Sequence, residues 1–357
     1  MRRGRGNASA SGGRIYTLAQ NGTGEAQEFG ADPAIIIRGN GTEIASTKVL
    51  YNRARRKIVS QRLSKALMQI AEEQEDPELK QTFRNTYYCQ SKIYSVGNRL
   101  YGRYCKNRVC TICLAIRKAQ LINKYYPELE KMHDLQFVTL TVPAVPKAGL
   151  AEAFRQVLDT FQTITEKHRK RSLRGTGPKL IGVKSLECCF NPVKRTYNPH
   201  LHILIAGKDN AEILVNDWLQ AWNKLSYTSK HAQKIKPVRN LNNSLIEIIK
   251  YGTKIFTEPD LESKSNQRHN REVYAKALYN IVTCMKGLRI FERFGFNVSK
   301  AQLEHIPAKV ATDFQTWKFL PQFRDWQNTE NELTLTNYHV PEALINLLEN
   351  EIDFEAQ

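Results

Sequence analysis

Asn198-Pro199-His200-Leu201-His202-Ile203-Leu204-Ile205 is the stretch that decides the fold. Its aliphatic and β-branched run, closed by Gly207, reads as a strand over Pro199–Ala206. The period of two places both imidazoles on one face and Leu201 on the other. Upstream, the turn-rich Asn191–Asn198 separates it from a second apolar run, Leu180–Phe190, so the two are expected to pair as a hairpin. If 187–190 pair with 199–202, Glu187 lies opposite His202 or nearly so. Two neutral imidazoles and a carboxylate in one coordination sphere can hold a divalent ion and leave positions open for substrate. A His-x-His alone is as well explained by packing; the flanking strand and Glu187 point to metal.

Working outward, Phe137–Pro143 is β-branched, partly alternating and stopped by a proline, a further strand. Helical spacing follows over about Leu150–His168, then around Asn210–Leu225 and Leu245–Phe256. The order β, α, β-hairpin, α, α implies an α+β fold, with helices packed on an antiparallel sheet. From Arg53 to Glu73, Ile58, Leu63, Ala66, Leu67 and Ile70 recur at helical spacing, with Arg55, Arg56, Lys57, Arg62 and Lys65 on the polar face. Another helix runs through Lys124 and is expected to end near Pro127. Residues 1 to about 47 hold nine of the nineteen glycines, a composition expected to stay largely disordered. The chain therefore divides into a basic Gly-rich arm (1–47), an amphipathic helical segment (48–84), a cysteine-rich module (85–126), an α+β domain (127–300) and a C-terminal region with an acidic tail (301–357).

That module contains Cys105, Cys110 and Cys113 as C-x4-C-x2-C, with Cys89 sixteen residues earlier. Two thiolates separated by two residues, Cys110 and Cys113, can turn toward one tetrahedral ion, and Cys89 with Cys105 would close the shell as a structural zinc site. Lys106, Arg108, Arg117 and Lys118 surround the cluster, where they would offset thiolate charge or contact phosphates. Cys188, Cys189 and Cys284 read as ordinary small core residues.

Of 357 residues, 53 are Lys or Arg and 35 are Asp or Glu, a formal net charge of +18. From Asp325 onward there are eight acids and no Lys or Arg, so the preceding residues carry a formal +26. Residues 50–126 hold sixteen cations against five acids, and 163–236 hold fourteen against five. Such charge calls for a polyanionic partner but does not choose among DNA, RNA and an anionic membrane surface. No run of 18 or more apolar residues exists, so no membrane span is expected. The arginine-rich start lacks the apolar core of a secretory signal, and a cytoplasmic location is expected.

Ile246-Glu247-Ile248-Ile249-Lys250-Tyr251-Gly252-Thr253-Lys254 puts Glu247, Tyr251 and Lys254 on one helical face. A nucleophilic Tyr, with an ordinary pKa near about 10, needs nearby positive charge, which Lys250 and Lys254 could supply. Taken alone, the segment reads as an amphipathic helix with a buried Tyr.

These features, in this order, resemble the rolling-circle replication initiators of small bacterial plasmids. Those proteins belong to the HUH endonuclease superfamily, and the likeness is to its single-tyrosine branch with an N-terminal cysteine cluster. Tyr104–Cys113, Phe137–Pro143, Asn198–His202 and Glu247–Lys254 each look like one of its motifs, as does Met285-Lys286-Gly287-Leu288-Arg289; Thr111 stands where proline is usual. The resemblance covers about residues 85–295. It implies that residues 127–300 are the endonuclease domain, an HUH-type central antiparallel sheet flanked by helices, with a zinc module and helical additions. It implies that His200, His202 and Glu187 hold Mg2+ or Mn2+, that Zn2+ is structural, and that Tyr251 attacks one DNA strand at the plasmid origin. A 5′-phosphotyrosine and a free 3′-hydroxyl primer would result, with Glu247 at the position that directs terminating cleavage. The resemblance also implies a bacterial cytoplasmic setting and work alongside a host helicase and polymerase. The rival readings are an HUH transposase or mobilisation relaxase and, from another class, a non-catalytic zinc-ribbon nucleic-acid-binding protein.

Overall fold

The computed structural model describes residues 24–29, 34–44, 46–223, 228–249, 270–298 and 308–341. The first part of the chain forms β1 (Glu25–Phe29), β2 (Ala34–Arg38), β3 (Thr42–Glu43), α1 (Thr47–Glu73) and α2 (Pro77–Tyr87). Next come β4 (Lys92–Val96), β5 (Arg99–Gly102), α3 (Thr111–Leu129), β6 (Leu135–Thr141) and α4 (Leu150–Leu173). The hairpin β7 (Gly182–Asn191) and β8 (Thr196–Ala206) leads to α5 (Lys208–Trp222), β9 (Lys234–Pro237) and α6 (Leu241–Ile249). The remainder is α7 (Asn270–Cys284), β10 (Phe291–Phe294), β11 (Lys309–Ala311), β12 (Gln315–Leu320) and β13 (Asp325–Asn328).

The central sheet has the order β10-β7-β8-β6-β9 and every pairing in it is antiparallel. Strand β8 is its middle member and is buried almost from end to end, which is why Ile203–Ile205 is apolar on both faces. One face is covered by α4 and α5: Lys184 lies over the Phe161 ring and Phe161 meets Phe294 edge-on. The other carries Ser185, Glu187, His200 and His202. There Tyr125 of α3 packs on Phe291, the register partner of Ser185, and α6 packs against α3, β7 and β8. The α+β expectation holds, with helices on both faces of an antiparallel sheet.

A second five-stranded sheet, β13-β12-β4-β5-β3, gathers strands from both ends of the chain around the β4–β5 hairpin. A third, β1-β2-β11, does the same. The disorder expected up to residue 47 is therefore overturned over β1, β2 and β3. Residues 34–38 (AIIIR) supply the one strongly apolar run in that segment, and its partners lie at 25–29 and 309–311. Nor does the acidic tail begin as a tail: Asp325 is buried and accepts hydrogen bonds from Thr336 N, Thr336 Oγ1 and Asn337 N.

Helix α1 differs from its expected amphipathic form. Lys57, assigned above to the polar face, is fully buried, and so is Arg53, whose guanidinium donates to Gln90 and Thr42. Helices α2, α3 and α7 and the second sheet surround α1, leaving no wide solvent face at these positions. Helix α3 runs past Pro127 to Leu129, because a proline in the last turn removes only one backbone bond. Among the outlying cysteines, Cys188 is buried as expected, but Cys189 is exposed near the turn of the hairpin.

Candidate metal centres

The β7–β8 register brings the histidine site together. Glu187 pairs with His200 and Ser185 with His202, so the hairpin is two residues offset from the alignment anticipated above. Because the offset is even, Glu187 keeps its face and is diagonal to His202. Its Oε2 lies 3.4 Å from His202 Nε2 and 3.8 Å from His200 Nε2, and all three residues are buried. Ligands about 2.1 Å from one ion lie roughly 3.0–3.5 Å apart, so the trio needs only small adjustments to enclose a cation.

The ring orientations are held from behind. His200 Nδ1 lies 3.0 Å from the Asn198 carbonyl, which can only accept, so Nδ1 carries the proton and Nε2 presents its lone pair. His202 Nδ1 lies 3.3 Å from Thr139 Oγ1, and the Phe137 ring packs at 5.3 Å. His202 Nε2 is buried without a hydrogen-bond partner. An orphaned, buried imidazole nitrogen facing a carboxylate is the donor set a divalent ion satisfies. At the same end of the sheet, Asn198 donates to the Val142 carbonyl at 2.6 Å, and Gln233 accepts from Thr141 N at 2.8 Å. These bonds fix the site end of β6 to its neighbours.

The second centre lies where the β4–β5 hairpin meets the start of α3. Cys89 precedes the hairpin, Cys105 follows it, and Cys110 and Cys113 open the helix. Cys113 Sγ is 3.7 Å from Cys89 Sγ and 3.6 Å from Cys105 Sγ. A tetrahedral ion with four sulfurs at about 2.3 Å has edges of about 3.8 Å, so the spacing fits a four-thiolate shell. Hydrogen bonds from the other three cysteines hold the Cys110 thiol far below its ordinary pKa. The same contacts, together with burial, push Cys89 up.

Lys57 is the residue that sequence reasoning missed. Its ammonium donates to Tyr87 O at 2.8 Å, Cys89 O at 2.7 Å and Ser91 Oγ at 2.9 Å, beneath the Phe319 ring. A lone lysine inside a basic helix gives no sign of this; four cysteines that need a counter-charge are the nearest thing to a signal.

The four cations assigned to nucleic acid have structural partners as well. Lys106 is exposed and pairs with Glu25 at 3.3 Å, and Arg117 donates to the Lys106 carbonyl at 2.8 Å. Arg108 donates to the Leu288 carbonyl at 3.1 Å and so ties the cysteine loop to the segment after α7. Lys118 is half-buried on α3. Glu247 is exposed on α6, while Leu245, Ile248 and Ile249 of that helix are buried. Lys250, Tyr251 and Lys254 lie outside the described residues. Among those described, no helix is long and apolar enough to cross a membrane.

An antiparallel sheet presenting two imidazoles and a carboxylate, beside a four-cysteine cluster, defines a protein built around two potential metal centres. The chain matches the replication protein family over residues 98–315, a span holding the histidine site and three of the four clustered cysteines. It belongs to that family, whose curated relatives support a plasmid replication initiator. It is 30% identical over 181 residues to "Protein rep" of Staphylococcus aureus, covering 46% of this chain and 73% of the relative. It is 26% identical over 187 residues to "Protein rep" of Streptococcus pneumoniae, covering 46% of this chain and 56% of the relative, little more than half its length. No solved structure matches the chain.

Proposed function

We propose that the protein initiates rolling-circle replication by nicking one strand of a plasmid origin in the manner of an HUH endonuclease. The observation that carries this reading is the convergence of Glu187, His200 and His202 on the face against which α6 packs, two residues before Tyr251 in the chain. Those three residues would hold Mg2+ or Mn2+, which when bound polarises the scissile phosphate and stabilises charge as it develops. Tyr251 Oη forms the new bond to phosphorus as the bond to the 3′ oxygen breaks. The tyrosine proton passes to a base or solvent, and the 3′ oxygen leaves as a hydroxyl. Lys250 and Lys254 favour the ionised tyrosine. Glu247 activates water, or orients the incoming hydroxyl, at termination. The ester at Tyr251 keeps the energy of the broken bond for rejoining.

Around this chemistry the four cysteines hold structural zinc, and Lys106, Arg108, Arg117 and Lys118 face the DNA. A host helicase would unwind the duplex while a host polymerase extends the freed 3′ end. Supercoiled plasmid bearing the origin, incubated with Mn2+, is expected to relax and retain covalently bound protein. Tyr251→Phe is expected to bind origin DNA and form no adduct. An adduct that persists in that variant removes the assignment, and wild-type protein that binds without cleaving favours the zinc-ribbon reading.

A further inference from the structure

Helix α4 carries a feature that neither metal centre uses. Past Phe161, which meets Lys184 and Phe294, the helix continues for a further 12 residues to Leu173, with Ile164 and His168 still buried on its inner side. On its outer side, Lys167, Lys170, Arg171 and, at the C-cap, Arg174 are all exposed and stand at helical spacings of three and four. Lys167 meets Asp217 at 3.2 Å, and Arg171 donates only to the Thr176 carbonyl. The side chains of Lys170 and Arg174 have no ion pair or hydrogen bond among the described residues.

The favourable interaction of cations with a helix C-terminus is met by one or two of them. Four in one stripe create like-charge neighbours at 167/170, 167/171, 170/174 and 171/174, each costing a few tenths of a kcal/mol. Glu166 near Lys170 and Asp217 beside Lys167 offset this only in part. A surface that opposes its own helix in this way fits an external polyanion.

We propose that this stripe docks the phosphate backbone of double-stranded DNA, on the sheet face opposite the His–Glu site. The proposal rests on the reading of the chain as an initiator that acts on DNA. Duplex is favoured over single strand because the stripe's side, formed by Asp159, Gln162, Thr163, Glu166 and the four cations, has no aromatic ring for unpaired bases to stack on. The cations span about 10 Å along a straight helix, matching a rod that carries one charge per about 1.7 Å of axis. Measured along helix and strand, the path from the stripe to Glu187 is roughly 20–30 Å, an upper bound on their separation. Duplex contact and cut would then be at most about nine base pairs apart at 3.4 Å per pair.

The test compares the full chain with its Lys170→Ala/Arg171→Ala/Arg174→Ala variant, without added divalent ion. The probes are a 30-bp duplex, the corresponding 30-nt single strand, and vesicles containing one-third anionic lipid. Removing three backbone contacts is expected to reduce the slope of log K against log salt by about 2.7 on duplex, with roughly hundred-fold weaker binding near 0.15 M salt. Single-strand affinity and Mn2+-dependent cleavage of a single-stranded origin oligonucleotide are expected to stay within two-fold. An unchanged duplex slope overturns the proposal, as does an equal loss on single strand or a loss confined to vesicles. Failure of wild-type cleavage would count against the nicking reading and leave the duplex slope to judge the stripe.

Discussion

Replacing Lys57 by Met asks whether the four cysteines surround a charged metal centre. Met keeps the length and most of the volume of the side chain, so little cavity is made. Burial lowers the Lys57 pKa from 10.5 to about 8, against the opposing pull of Cys89, Cys110 and Cys105. At about 1.36 kcal/mol per pKa unit, that fall is a net desolvation cost of about 3 kcal/mol, which Met removes. Three charge-assisted hydrogen bonds, to Tyr87 O, Cys89 O and Ser91 Oγ, are lost with it. At about 1.5 kcal/mol each, they amount to about 4–5 kcal/mol. The two effects nearly offset each other in metal-free protein, leaving a net loss of about 1–2 kcal/mol. With a divalent ion in four thiolates, the centre carries two net negative charges. For two charges about 6 Å from an ammonium at an effective dielectric near 20, the attraction lost would be about a further 5 kcal/mol. Lys57→Met is therefore expected to weaken zinc binding at least a hundred-fold in a chelator competition, and to lower Tm far more with zinc than without. A variant that binds zinc as tightly as the parent, with the same Tm loss in both forms, refutes the counter-ion argument.

Other perturbations follow from the same geometry. Glu187→Gln is expected to weaken Mn2+ binding about a hundred-fold by titration calorimetry with little loss of Tm, since it removes a buried carboxylate; unchanged affinity would exclude Glu187 as a ligand. Gly182→Ala would place a methyl 2.0 Å from the Leu204 carbonyl oxygen. It is expected to cost about 3 kcal/mol or more in a denaturant melt, and a neutral effect would mean that β7 and β8 are farther apart than described. Burial pushes the Asp217 carboxyl up, but hydrogen bonds from His168 and Lys167 outweigh it and hold the pKa below the ordinary Asp value. A lowered folded pKa stabilises above the unfolded value of about 3.9, and that contribution is lost as pH falls through the folded one. Asp217→Asn should therefore cost about 1–2 kcal/mol at pH 7, and its gap from the parent should close under acid; a gap independent of pH contradicts this.

The central sheet was readable because its signals are local. The two-residue period of His200-Leu201-His202, the proline after β6 and the Cys110-x-x-Cys113 spacing need no knowledge of distant partners. The two-residue offset between β7 and β8 was not readable, since it depends on the turn over 192–195, and several loop geometries suit that sequence. Nor was the burial of Lys57 and Arg53. A helix viewed alone sorts its residues into polar and apolar faces, whereas α1 is enclosed by α2, α3, α7 and the second sheet. Strands β2 and β3 have partners at 309–311 and 99–100, beyond any local window, and β1 in turn pairs only with β2 among the described residues. For the tyrosine segment, sequence carries the argument for Lys250, Tyr251 and Lys254, while Glu247 stands on α6 among the described residues.

The second sheet imposes an order on synthesis. The thiols at 89–113 are all present once α3 has emerged, and β6 to β10 can pair by residue 294. Strand β4, however, waits for β12, and the Trp326 indole donates to the Gln90 carbonyl at 2.7 Å, next to the first cysteine. Until residues 315–328 leave the ribosome, one edge of the cysteine hairpin is an open strand, prone to pair with other chains. A nascent chain can thus complete its sheet of histidines while its cysteine module still lacks the strand that closes its edge.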